Sequence, residues 1–246
     1  MKKQDWFSTW FDTSYYHILY QHRSFDEAER FIANLLNFLS PDPNSSILDL
    51  ACGKGRHSYF IAQKNFKVTG VDLSVESIEW AKENYALPNL NFDVHDMRKV
   101  YSETTFDYIF NFFTSFGYFE NDDENLQVLK AIAKGLKADG TLVIDFMNAE
   151  KAIEELKEVE QLEIDGIFFN ITRTHEDGFI IKTIKFEDKG EKHEYYERVQ
   201  ALTLPDFEKL FKLAGLNLVT SFGDYDLQAY NEKVSNRLIM VLTKNA

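Results

Sequence analysis

The chain has 246 residues, 44% of them hydrophobic, and a formal net charge of -13 at pH 7. That length suits one sizeable domain with an insertion, and the acidic field repels phosphate backbones and anionic lipid, so neither nucleic acid nor a membrane is an expected partner. With one cysteine, Cys52, and no apolar run near the roughly 18 residues that a bilayer crossing requires, the expectation is a soluble intracellular protein, most simply cytoplasmic.

The N-terminal segment "WFSTWFDTSYYHILYQHR" holds Trp6, Phe7, Trp10, Phe11, Tyr15, Tyr16 and Tyr20. That is more aromatic surface than a short helix needs to anchor itself, and it suggests a lid over a pocket. "SFDEAERFIANLLNFL" follows, with Ser24 and Glu27 spaced as a capping box, which predicts a helix start. Residues 1–44 are therefore read as a helical lid.

From residue 45 strands and helices alternate. "SILDL" reads as a short buried strand, "RHSYFIAQKN" as a helix, and "KVTGVDLS" as a second strand ending on an acid. Ser74 is the expected cap of a helix over "SVESIEWAKENY", after which Pro88 and Asn89 turn the chain into the strand "LNFDV". "FDYIFNFF" is a strand, "NLQVLKAIAKGLK" a helix, and "ADG" a turn into the strand "TLVIDFMN". Such alternation over 45–150 predicts a doubly wound α/β sheet with right-handed crossovers. Helix-like "AEKAIEELKEV" then leads into β-rich runs over 160–202, separated by "EDG" and "DKGEK". These read as an antiparallel insertion. Residues 203–246 return to the sheet through the helix "LPDFEKLFKLAGL", ended by Gly215, and the strands "LNLVTSF" and "RLIMVLT". One domain is the expected organisation.

The turn after the first strand carries Gly53 and Gly55, and a helix starts directly behind it. Residues without Cβ allow a ligand close to the backbone, and the free N–H groups of the helix face the same crevice. Asp72, ending the second strand, can accept hydrogen bonds from both hydroxyls of a ribose. A nucleoside-containing ligand is favoured. A dinucleotide fingerprint fits only in part, because its third glycine is Ser58 here. The histidines are scattered, and neither a Gly-x-Ser-x-Gly elbow nor a P-loop lysine motif is present. Zinc, hydrolase and kinase chemistry are not expected.

Four stretches in order, "ILDLACGKGRHS", "VTGVDLS", "FDVHDMR" and "GLKADGTLVIDF", resemble the successive motifs of class I S-adenosylmethionine-dependent methyltransferases. "LPDFEKLFKLAGLNLV" and the last strand resemble the C-terminal end of that fold. The resemblance implies a Rossmann-like seven-stranded sheet with the last strand antiparallel, here with a small antiparallel β insertion. It implies S-adenosylmethionine as cofactor and S-adenosylhomocysteine as product. Gly53 then lies against the methionine and ribose part, Asp72 binds the ribose hydroxyls, and Leu73 stands beside the adenine. Asp96 meets the adenine amino group, Met97 covers the ring, and Asn111 falls where the family's backbone contacts the methionine moiety. The family's usual first glycine is Ala51 here, which restricts the backbone more.

Tyr16 and Arg23 are candidates to reach the cofactor's carboxylate from the lid, since arginine pairs with carboxylates in a bidentate way. Methyl transfer from a sulfonium is an in-line displacement, so a general base is needed only if the acceptor is protonated. Thr114, Ser115 and Tyr118, in the loop after the fourth strand, are the candidate acceptor-side residues, with Tyr118 the catalytic candidate. "NFFTSFGYF" lacks the Asn/Asp-Pro-Pro-aromatic motif of DNA amino-methyltransferases, so a small-molecule acceptor is expected under lid and insertion. Two alternatives stay open: a nicotinamide-dependent oxidoreductase, and an S-adenosylmethionine-binding module without catalysis.

Overall fold

A computed structural model describes residues 6–21 and 25–244. Helices α1 (Trp6–Trp10), α2 (Ser14–Leu19) and α3 (Phe25–Leu39) precede the alternating run of β1 (Ser46–Leu50), α4 (Arg56–Gln63), β2 (Lys67–Asp72), α5 (Val75–Asn84), β3 (Leu90–Val94), β4 (Phe106–Asn111), α6 (Asp122–Gly135) and β5 (Leu136–Met147). A short α7 (Ala149–Glu154) leads to β6 (Val159–Ile164), β7 (Ile167–Glu176), β8 (Phe179–Asp188) and β9 (Glu191–Gln200). The described chain closes with α8 (Leu204–Ala214), β10 (Leu216–Phe222) and β11 (Arg237–Lys244).

Seven strands form one sheet in the order β10-β11-β5-β4-β1-β2-β3, and β11 alone runs against the rest. The expected Rossmann-like topology is thus the observed one. Both faces of the sheet are covered, which explains why "RLIMVLT" is apolar without alternation. Leu238, Met240 and Leu242 pack with the α6 and α8 residues Val128, Phe207 and Phe211. Ile239 and Val241 face the α3, α4 and α5 residues Phe31, Ile61 and Ile78. The chain runs from β1 outward to β3, then crosses back to β4 on the other side of β1. The carboxyl end of β1 is therefore the switch point where a ligand crevice opens.

The insertion is a second sheet in the order β6-β7-β8-β9. Its three hairpins turn on Asp165-Gly166, Asp177-Gly178 and Lys189-Gly190, every one of these residues at positive φ. Two consecutive left-handed residues make the type I′ turn whose twist matches the strands. One face of this sheet, with Phe169, Ile171, Ile184 and Phe186, packs under Trp10 and Leu19 of the N-terminal helices.

Two local expectations shift. The helix expected over "AEKAIEELKEV" stops at Glu154, because the Arg173 amide reaches the Glu158 carbonyl at 2.8 Å and pairing captures the chain. The "ADG" turn is absorbed into β5, with Asp139 at φ 61° and a register shift opposite β4. The cap expected at Ser24 lies outside the described residues.

Candidate active site

The turn after β1 is bolted to the end of β2. The Gly53 amide donates to Asp72 Oδ2 at 2.7 Å, and the Ser74 amide donates to Asp72 Oδ1 at 2.9 Å. Each carboxylate oxygen keeps lone pairs for further donors. Burial raises the Asp72 carboxyl despite these N–H bonds, so two hydroxyl donors would favour its charged form. Ala51 takes φ 62° in the place of the usual glycine, while Gly53 and Gly55 stand at φ 55° and 76°. The two glycines do different jobs. A Cβ on Gly53 would meet nothing within 4 Å, whereas one on Gly55 would stand 2.4 Å from the Phe92 ring. Behind the turn Asp49 is buried and accepts from Ser58 Oγ at 2.5 Å. Burial pushes its carboxyl up to about 6.

At the end of β3, Arg98 holds Asp96 in a fork, Nε to Oδ1 at 3.0 Å and Nη2 to Oδ2 at 2.9 Å. Burial works to raise the Asp96 carboxyl, but the hydrogen bonds and charge of Arg98 outweigh it and hold it below the usual carboxylate range. The same guanidinium reaches Glu124 at 3.0 Å and lies under the rings of Phe7 and Phe119. Leu73 and Met97 supply apolar surface to the same cavity.

That cavity, of about 390 Å³, is within the range of small-molecule sites. Gly53, Asp72, Leu73, Asp96 and Met97 line it from the sheet, Phe7, Phe11, Tyr16 and His17 from the lid, and Phe112, Phe113, Ser115, Tyr118 and Phe119 from the loop after β4. Tyr118 packs edge to face on Trp6 at 5.4 Å between ring centroids and tilts against Phe11 at 5.4 Å. The lid is fastened on two sides. Asp12 accepts from Ser74 Oγ at 2.6 Å and from the Glu76 amide at 3.1 Å, at the start of α5. On the other side Trp10 Nε1 and the Tyr20 hydroxyl both donate to Glu197 Oε1, at 2.9 and 2.6 Å.

The structure thus gathers Tyr16, Gly53, Asp72, Leu73, Asp96, Met97, Ser115 and Tyr118 around one cavity. Arg23 lies outside the described residues. Asn111 is the last residue of β4 and stands behind the wall, donating through Nδ2 to the carbonyls of Leu50 at 3.0 Å and Ser115 at 3.2 Å. Thr114 is not in the wall, since its Oγ1 accepts from Arg237 Nη2 at 3.1 Å. The expectation that the insertion covers the acceptor is corrected: among the described residues none of β6–β9 lines the cavity, because α1 and α2 lie between. The insertion backs the lid.

Several wall residues escaped the sequence reading. Trp80 and Tyr85 looked like helix periodicity, yet both line the cavity, with Lys54 Nζ 4.9 Å from the Trp80 ring centroid. His17 also lines it, 3.4 Å from Ser77 Oγ. Burial, then the charge of Lys54, lowers its imidazole to about 4, so it is neutral at pH 7. No spacing within α2 signals that role, because the neighbours that create it come from the turn before α4 and from α5.

The residues fit S-adenosylmethionine: a carboxylate with paired free lone pairs at the ribose position, an unhindered glycine, and apolar side chains for a ring. Residues 47–140 match the family described as methyltransferase domain. The Bacillus subtilis protein YqeM, named as a methyltransferase, is 26% identical over 233 residues, covering 90% of this chain and 92% of its own. An S-adenosylmethionine-dependent methyltransferase from Clostridium acetobutylicum superposes with a TM-score of 0.79 at 21% identity, covering 94% of this chain and 96% of that one. CalS10, an S-adenosylmethionine-bound amino pentose methyltransferase from Micromonospora echinaspora, gives 0.67 at 19% identity, covering 95% and 98%. At these identities the structural likeness is one of fold. The motif-bearing segment matches a methyltransferase domain, and the fold is that of the S-adenosylmethionine-dependent methyltransferases. In this segment and in its fold the chain is similar to S-adenosylmethionine-dependent methyltransferases.

Proposed function

We propose that the protein methylates a small-molecule acceptor, with an amine nitrogen as the accepting atom, and that the whole chain works as one unit in the cytoplasm. The observation that carries this reading is the continuity of one cavity from Asp72 and Gly53 to the aromatic wall of Phe7, Phe11, Tyr16 and Tyr118. A lid fastened on two sides suits a small acceptor better than a polymer. A sugar N-methyltransferase among the similar folds supports the amine, and the acidic charge and single cysteine support the location.

The cofactor, when bound, supplies a methyl group already activated on a sulfonium. The chain's residues align and shield. Asp72 would hold the ribose hydroxyls, Asp96 the adenine amino group, and Leu73 and Met97 the faces of the ring. Tyr16 and Arg23 would hold the carboxylate end, and Asn111 would set the backbone beside it. Ring faces of Phe11, Tyr16 and Tyr118 attract positive charge, which passes from the donor to the methylated amine. Ser115 and Tyr118 would orient the nucleophile, and the lid excludes water. Thr114 acts behind them, on the loop itself.

The test is S-adenosylhomocysteine titration of the wild-type protein, followed by S-adenosylhomocysteine release assays over a panel of amino sugars and amines. Micromolar binding with turnover of one amine class is the expected result. With that acceptor, Tyr118→Phe should lower turnover about tenfold, or 1.4 kcal/mol, and leave cofactor affinity intact. Full activity of Tyr118→Phe would remove its role, and turnover only of hydroxyl acceptors would remove the amine.

A further inference from the structure

The loop that carries the acceptor wall stands in a conformation its own sequence disfavours. Phe113 has φ 63° and Thr114 φ 61°, two consecutive side chains in the left-handed region, one of them β-branched. A buried ion pair from two distant strands holds them there. Asp145 of β5 is wholly buried. Its Oδ2 accepts from the Phe113 amide at 2.9 Å, and its carbonyl accepts from the Thr114 amide at 2.9 Å. Arg237, the first residue of β11, donates from Nε to Asp145 Oδ1 at 2.8 Å and from Nη2 to Thr114 Oγ1 at 3.1 Å. Its guanidinium also lies 5.8 Å from the Phe113 ring centroid. Tyr225, in the loop before β11, donates its hydroxyl to Asp145 Oδ2 at 3.2 Å.

We propose that Asp145 and Arg237 are positioning residues for methyl transfer: together they clamp Phe113 and Thr114 in the left-handed conformation and so set where Phe112, Phe113, Ser115 and Tyr118 stand. The proposal rests on the acceptor-side reading of this loop. A buried ion pair is weak evidence for stability, because desolvation offsets the attraction. An apolar pair would hold β5 to β11 as well, but it could not accept the Phe113 amide or donate to Thr114. The pair touches the loop at four points and lines the cavity at none. It acts through other residues.

The experiment uses the full chain, peptide-resolved hydrogen exchange and titration with S-adenosylhomocysteine, on Asp145→Asn, Arg237→Lys and Asp145→Asn combined with Thr114→Gly. In Asp145→Asn the amides of 111–119 should exchange about tenfold faster while β1 and β4 keep their protection, and S-adenosylhomocysteine should bind several-fold more weakly. Arg237→Lys should fall between, since lysine keeps the charge but loses the second arm. Thr114→Gly should recover part of the loss in the double variant, because glycine takes the left-handed conformation unaided. Unchanged exchange in the loop, or acceleration spread evenly over the sheet without rescue, overturns the proposal. Should Asp145→Asn not fold, Arg237→Lys and Tyr225→Phe decide it by the same readout. If the wild-type protein binds no S-adenosylhomocysteine, the cofactor reading fails, while the exchange of 111–119 still decides the clamp.

Discussion

The two halves of the cavity are built differently. The cofactor half is made where parallel strands end: Gly53, Asp72 and Asp96 each follow or close a strand, and backbone amides hold the Asp72 carboxylate. The lid half is a set of aromatic rings from α1, α2 and the loop after β4, kept in place by groups outside the cavity, Glu197 on one side and Asp145 with Arg237 on the other. Backbone hydrogen bonding within one sheet edge can be satisfied by a few residues close in sequence. Ring packing cannot, because each ring needs neighbours on every side.

Disturbing the cofactor half should give the largest effects. Gly55→Ala drives a methyl into the Phe92 ring at a left-handed position, and should cost about 3 kcal/mol or more in urea unfolding. Gly53→Ala, with open space around it, should cost only about 1 kcal/mol of stability and act mainly on S-adenosylhomocysteine affinity. Equal destabilisation by the two would erase the difference between packing glycine and cradle glycine.

Asp72→Ala should weaken S-adenosylhomocysteine binding about a hundredfold, some 2.7 kcal/mol, since it removes the ribose acceptor and orphans the Gly53 and Ser74 amides. Calorimetric titration reads this directly, and an unchanged affinity would detach the ribose from β2.

Asp49 offers a pH test of the same half. Its buried carboxyl titrates near about 6 against a usual 3.8, so the stability it contributes is present below pH 3.8 and is lost as the pH rises through 6. The loss amounts to at most about 3 kcal/mol. Asp49→Asn escapes that loss. Relative to wild type it should gain stability between pH 4.5 and 7 in urea unfolding of the unliganded protein; a constant difference would mean that Asp49 ionises as a solvated acid does.

The lid half should respond least. Glu197→Gln keeps the shape but weakens the bonds from Trp10 and Tyr20, and should raise exchange of the α1 and α2 amides with about a threefold loss of cofactor affinity. A loss as large as that of Asp72→Ala would make the insertion part of the binding site rather than its backing.

This difference also decides what could be read in advance. The strands, the cap at Ser74, the turn of Gly53 and Gly55 and the acid at Asp72 were legible, because each is a local arrangement with a local signal. The hairpin turns at Asp177-Gly178 and Lys189-Gly190 were legible for the same reason. Arg98 stood within a quoted motif without a role, since its partners Glu124 and Phe7 come from segments distant in the chain. The insertion was read as a cover for the acceptor, an inference from its place in the chain; its apolar face is spent on Trp10 and Leu19 instead.

By itself the sequence determined the class of fold, the order of the strands' motifs and the turn of Gly53 and Gly55 beside Asp72, since hydrophobic period, paired glycines and an acid at a strand end are properties of short stretches. Only the tertiary structure decided that burial and Lys54 lower the His17 imidazole, that Thr114 bonds Arg237 behind the cavity wall, and that Asp145 meets Arg237 across 92 positions of chain. Burial and long-range pairing exist only once the sheet has brought distant segments together.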